Sequence, residues 1–272
     1  MVDDDNHVAG NVGYSLKLSE QELLRYRAMA AIAADHEAAE WSAAGIAPGA
    51  RIADVGCGPG AVLRLLAERA GANGQAVGID ADLEAVAMAR QQTTGLPQAR
   101  VQVGRADATG LESGAYDVIM CRHVLAHNGG GEAAIVAHLA SLAAVGGCVY
   151  LADVDFTLSR HTVKDADLED LEERYREFHR DRGNDLSVGL RLGDLLTEAG
   201  LTVERYACRG PVLRIPPGIR SAAWAARAEM AAAGFATDTD IKRWEEAFAR
   251  LDSAEPRPWL FAGLFVAIGR RV

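Results

Sequence analysis

Between Arg51 and Cys208 the chain alternates short apolar runs with longer stretches whose apolar residues recur every three or four positions. Short runs rich in Val, Ile and Ala suit strands buried on both faces, and the longer period suits helices with one apolar side. The strand-like runs are Arg51–Val55, Ala76–Ile79, Val101–Val103, Tyr116–Cys121, Cys148–Ala152 and Thr202–Cys208. Helical spacing fills Ala61–Ala70, Leu83–Gln92 and Ala133–Ala143, and Gly71 and Gly200 stand where C-terminal caps are expected. Strand–helix alternation of this kind predicts a doubly wound α/β fold, with a mostly parallel sheet covered on both faces. A further apolar strand is expected at Phe261–Gly269.

Other segments break this rhythm. Ser19-Glu20-Gln21-Glu22 has capping-box spacing and opens a helix-forming stretch that Gly45 and Pro48 stop. Residues 1–48 therefore read as a helical arm, and residues 49–210 with 260–272 as the main domain. Residues 156–188 carry the charged helical stretch Asp167–Arg182, and residues 211–259 carry helical patterns at Ile219–Ala233 and Thr239–Leu251. Both insertions follow parallel strands, so both should rise from the carboxyl edge of the sheet, where open α/β folds bind their ligands. They are expected to form a lid or the walls of a substrate pocket.

Charge narrows the partners. The formal net charge of −10 disfavours nucleic acid, whose phosphates are bound mainly by clustered Lys and Arg. No run approaches the roughly 18 uninterrupted apolar residues of a membrane span, and the acidic N-terminus lacks a signal-peptide pattern. A cytoplasmic protein without membrane attachment is expected. The four cysteines, Cys57, Cys121, Cys148 and Cys208, are widely spaced, which suits reduced thiols and neither a disulfide framework nor a zinc site. No cluster has metal-ligand spacing, so no metal is expected. The helical arm is compatible with a homodimer.

The candidate chemistry starts at Asp54-Val55-Gly56-Cys57-Gly58-Pro59-Gly60, between a strand and a helix. Glycines let the backbone turn tightly and pass close to a ligand. A dinucleotide loop reads Gly-x-Gly-x-x-Gly to seat a pyrophosphate, whereas the spacing here is Gly-x-Gly-x-Gly. That spacing, with Asp54 beside it, suits a ligand that has a charged amino-acid portion and no phosphate. The next strand ends in Asp80, placed to accept from ribose hydroxyls. The third strand is followed by Gly104-Arg105-Ala106-Asp107-Ala108, where a carboxylate can accept from an adenine amine.

Together with Gly78-Ile79-Asp80, Tyr116-Asp117-Val118-Ile119-Met120 and the Ala144-Val145-Gly146-Gly147 turn, these residues resemble the class I, Rossmann-like S-adenosylmethionine-dependent methyltransferases. The resemblance covers about residues 50–210 and the last strand. It implies a seven-stranded sheet with an antiparallel last strand and S-adenosylmethionine as cofactor. Gly56, Cys57, Gly58 and Gly60 would line its methionine portion, and Asp54 would orient its ammonium. Asp80 would hold the ribose with Ala81 beside the adenine, and Asp107 with Ala108 would hold the adenine edge. Cys121 and Arg122 would lie near the sulfonium and the carboxylate. Val145 departs from the proline usual in that turn.

Methyl transfer from a sulfonium is an in-line displacement dominated by positioning, with a general base added for hydroxyl or amine acceptors. His123 and His127 follow the fourth strand and are the candidate bases. If that segment is helical, their four-residue spacing puts both rings on one face. Asp153 and Asp155 are further candidates. Tyr14, Tyr26 and Trp224, with Asp155, are expected to wall a pocket for a small-molecule acceptor, such as a secondary metabolite. Two other readings stay open: a protein of this fold that binds the cofactor without methyl transfer, and a nicotinamide-dependent oxidoreductase.

Overall fold

A computed structural model gives the structure of residues 20–272; Tyr14 and Ser19, hence the expected capping box, lie outside the described residues. In chain order the elements begin with helices α1 (Glu20–His36) and α2 (Ala38–Ala44) and strand β1 (Arg51–Val55). Then come α3 (Ala61–Ala70), β2 (Gln75–Asp80), α4 (Leu83–Gln92), β3 (Ala99–Val103), β4 (Tyr116–Arg122), α5 (Glu132–Leu142) and β5 (Ala143–Val154). The first insertion holds β6 (Arg160–His161) and α6 (Ala166–Asp181), and α7 (Leu192–Glu198) and β7 (Thr202–Cys208) follow it. The second insertion holds β8 (Val212–Leu213), α8 (Ala222–Ala225), α9 (Arg227–Ala232) and α10 (Asp238–Ser253). The chain closes with β9 (Leu260–Phe261) and β10 (Leu264–Arg270).

Seven strands form one sheet in the order β3-β2-β1-β4-β5-β10-β7. β1 to β5 pair in parallel, and β10 runs antiparallel to both β5 and β7. Doubly wound order and the antiparallel last strand are thus as the sequence implied. Strand order reverses between β1 and β4, and the crevice beyond their carboxyl ends is where such folds bind ligands.

Two apolar cores lie on the two faces. Trp41 and Ala44 of α2 and Leu63 and Leu66 of α3 pack with Ile52, Val118, Met120 and Tyr150 on one side. On the other, Val136 and Leu139 of α5 and Leu195 of α7 pack with Ile119, Val149 and Leu151, and this core runs on into the insertions through Tyr175, Trp224 and Trp244.

Three elements differ from expectation. The arm is two helices, interrupted at Glu37 with φ −111° and ψ 12°. The local sequence favours one helix, but Glu37 is buried and its carboxyl group is drawn to Arg122 and Tyr150. β5 begins at Ala143 because Ala143 pairs with Tyr116 ahead of a register shift, which takes the Gly146-Gly147 turn into the strand. The predicted terminal strand divides: β10 completes the large sheet, while β9 joins a small sheet in the order β6-β9-β8. That small sheet ties the two insertions together.

The insertions are also locked by charge. Arg243 of α10 donates to Asp167 at 2.6 Å and Asp170 at 3.0 Å on α6, and the Trp244 indole donates to Asp170 at 3.0 Å. Each insertion shields the other's apolar stripe.

Candidate functional site

The site grows from the turn between β1 and α3. Gly56 has φ +77°, and a Cβ there would lie 2.2 Å from Val124 Cγ2, so the loop after β4 leaves no room for a side chain. The Gly58 N–H donates to Asp80 Oδ2 at 2.8 Å, and the Asp82 N–H donates to Asp80 Oδ1 at 3.0 Å. Asp80 therefore braces the glycine loop from the end of β2, and burial raises its pKa. Asp107, near the start of the loop after β3, is held by both Arg105 guanidinium donors at 2.9 Å, which keeps its pKa low. Ala81 and Ala108 are exposed beside these acids.

Asp54 is the next-to-last residue of β1, within its buried run. It is 2% exposed, and its Oδ2 is one of the buried polar atoms without a hydrogen-bond partner among the described residues. Burial drives its pKa up to about 7, with Arg122 opposing and Asp80 adding to the rise. Arg122 ends β4 and donates to Glu37 Oε2, which also accepts from the Tyr150 hydroxyl at 2.5 Å. Burial works against the charge on Arg122, and Glu37 and Tyr150 outweigh it. Cys57 and Cys121 are buried, and burial pushes both thiols well above their ordinary range, so neither is a nucleophile at neutral pH.

A second group of side chains adjoins the loop after β4. The segment is not a helix: His123 adopts φ +55°, and only Leu125–His127 forms a single 3₁₀ turn. The expected sharing of one helical face by His123 and His127 therefore does not arise. Asp153, at the end of β5, accepts from the Ala126 N–H at 3.2 Å and so anchors that turn. Its own pKa is raised to about 6, chiefly by burial. Burial and the neighbouring Arg25 guanidinium lower the pKa of His127 to about 4. Burial likewise takes His123 well below the ordinary histidine value. Both rings are neutral at pH 7.

The arm and the first insertion close over these rings. A Cβ on Gly58 would lie 3.5 Å from the Tyr26 ring of α1, so this helix crosses above the glycine loop. From α6, His179 lies with its ring 4.9 Å from that of His127, and Tyr175 meets His179 edge-on at 4.4 Å. Asn184 accepts from the Gly129 N–H at 3.1 Å, which leaves its amide N–H groups to donate to His179 Nδ1 at 2.9 Å. His179, with a pKa lowered to about 3 by burial first and His127 second, then carries its proton on Nε2. Tyr175, His179 and Glu37 escaped the sequence reading. His179 could have been flagged as the one imidazole on the stripe Leu168, Leu171, Tyr175 and Phe178, whereas nothing local marks Glu37.

Of the other expected pocket residues, Asp155 accepts from the Thr157 N–H at 2.9 Å and the Thr157 hydroxyl at 2.6 Å, capping a 3₁₀ turn at the base of the first insertion. Trp224 is buried within the second, edge-on to Phe248 at 5.3 Å and beneath Arg227. Among the described residues no group of acids, histidines and cysteines could hold a metal ion, and no helix is long and apolar enough to cross a membrane.

Residues 52–147 match the model of the family described as "Methyltransferase domain". An uncharacterized 37.1 kDa protein of a Streptomyces fradiae transposon is 39% identical over 80 residues, 29% of this chain and 23% of that protein. The ribosomal protein L11 methyltransferase of Burkholderia multivorans is 40% identical over 81 residues, 30% of this chain and 25% of that protein. The chain thus spans about a quarter of the length of these curated relatives. Among solved structures, a geranyl diphosphate C-methyltransferase from Streptomyces coelicolor shares the fold at a TM-score of 0.52 and 12% identity, with 90% of this chain and 79% of that one covered. Residues 52–147 thus match a methyltransferase domain, and the sheet order is the Rossmann-like one that the sequence resemblance implied.

The residues present fit S-adenosylmethionine, the cofactor that the sequence resemblance implies. A buried carboxyl oxygen on Asp54 has no hydrogen-bond partner among the described residues and suits an ammonium donor, a guanidinium on Arg122 lies close enough to affect it, Asp80 ends β2 and Asp107 follows β3.

Proposed function

We propose that this protein transfers a methyl group from S-adenosylmethionine to a small-molecule acceptor, with His127 as the base that takes up the acceptor's proton. The observation that carries the cofactor half is the unpartnered buried oxygen of Asp54 beside the glycine loop. An isolated buried acid is costly, and an ammonium that donates to it removes the cost. When bound, the cofactor supplies an electrophilic methyl group. The chain's own residues orient it: Asp54 and Arg122 engage its amino-acid end, Asp80 the ribose, and Asp107 the adenine edge.

The acceptor half rests on the enclosure of neutral imidazoles beneath α1 and α6. Burial keeps both rings in the unprotonated, proton-accepting form at pH 7 while lowering their basicity, and a site closed to water protects a reactive methyl donor. Two helical insertions over the pocket suit a compact acceptor, and the fold neighbour from Streptomyces coelicolor is described in complex with geranyl diphosphate. The test is calorimetric titration with S-adenosylmethionine, its demethylated product and NAD, on the wild type and D80A. Micromolar binding of the first two that D80A abolishes supports the reading. Binding of NAD alone would make the protein an oxidoreductase instead, and tight cofactor binding with no turnover across an acceptor panel would leave a binding protein.

A further inference from the structure

Glu37 lies outside the residues that match the methyltransferase family, in the break between α1 and α2, yet it reaches the heart of the cofactor site. It is 1% exposed. Its Oε2 accepts from Arg122 and from the Tyr150 hydroxyl, while its Oε1 is buried without a hydrogen-bond partner among the described residues. Asp54 shows the same pattern, with Oδ2 buried and unpartnered among the described residues, and it feels the charge of the same Arg122. Arg122, which donates to Glu37, thus lies within electrostatic reach of both buried carboxyl groups, and each keeps one oxygen without a hydrogen-bond partner among the described residues. Such a cluster lacks one cationic donor, because one guanidinium cannot neutralise both acids and unpaired buried oxygens are costly.

We propose that Glu37 is a cofactor-binding residue, pairing with Asp54 to grip the ammonium of the amino-acid end of S-adenosylmethionine while Arg122 faces the carboxylate. The inference rests on the cofactor proposed above. It gives the helical arm a direct role: the break at Glu37 brings an acid from outside the sheet down to the ligand, so the bound cofactor ties α1 to the ends of β1 and β4. The alternative is that Glu37 only positions Arg122.

Three ligands separate these roles. S-adenosylhomocysteine carries ammonium and carboxylate, its decarboxylated analogue keeps only the ammonium, and 5′-methylthioadenosine has neither. In E37Q, whose amide oxygen can still accept from Arg122 and Tyr150, affinity for the first two should fall about tenfold to a hundredfold, the loss expected for one charge-assisted hydrogen bond. Methylthioadenosine should bind E37Q as it binds the wild type. If the decarboxylated analogue is unaffected by E37Q, Glu37 acts only through Arg122 and the proposal is overturned. D54N provides an independent check: Glu37 remains, so part of the preference for ammonium-bearing ligands should persist, and its complete loss would exclude Glu37 as a ligand. If the wild type binds none of the three, the cofactor assignment itself fails. If all three bind with unchanged ratios in E37Q, only the role of Glu37 fails.

Discussion

Two side chains carry the sharpest consequences. Asp54 has a folded-state pKa near 7, raised from an ordinary carboxylate value, so its protonated form is the one the fold favours. The stability this gives is complete below the unfolded value near 4 and is lost as pH rises through 7. Without ligand, the wild type should therefore lose stability from pH 5 to pH 8 relative to D54N, as urea denaturation at each pH would show. Methylthioadenosine, which lacks the ammonium, should not change that difference. His127 makes the second case. With its pKa near 4, kcat at saturating cofactor should stay level down to about pH 5, where an ordinary histidine base would already lose activity below pH 6.5. H127Q should lower kcat by roughly 10²- to 10⁴-fold if this ring is the base. A loss under threefold would move that role elsewhere, with Asp153 the next group to test.

Among the elements, the loop after β4 packs closely against the residues that follow α6. A Cβ on Gly129 would lie 1.7 Å from the Gly183 carbonyl oxygen and 2.8 Å from Asn184 Cα, both backbone atoms that cannot swing aside. G129A should force the two segments apart, costing about 2 kcal/mol in chemical denaturation by the usual scale of overpacking, and should release Asn184 from its contact with His179. Unchanged stability would mean that the loop yields easily. The charged seam between α6 and α10 predicts something else. Its arginines are solvated, so the seam should weaken with salt, and R243A should speed amide exchange in both helices without touching the strands. The strand ends near the glycine loop were legible in the sequence because that chemistry is local: each acid follows its own strand. His179 and Glu37 were not, because each reaches the site only after α6 and the arm have packed across the sheet.

At the scale of the whole molecule, cofactor binding should stabilise the fold. With S-adenosylhomocysteine at a hundred times its Kd, linkage gives about 2.7 kcal/mol, which for a chain of this size is a rise in Tm of roughly 5–10 °C. D80A should abolish that rise at the same ligand concentration, and a full rise in D80A would remove Asp80 from the site.

The strands of the large sheet, its class, the glycine loop and the acids after it were legible in the amino-acid order, because hydrophobic period and turn chemistry act over a few residues. It also marked the arm and both insertions as additions to that frame. Long-range packing alone sets the break of the predicted arm helix at Glu37, the left-handed residue and 3₁₀ turn after β4, and the small sheet that joins the insertions. Those outcomes come from contacts between residues far apart in the chain: Glu37 with Arg122 and Tyr150, Gly129 with Gly183, β6 and β8 with β9. Local propensity has no access to such contacts, and where they are buried and charged they outweigh it.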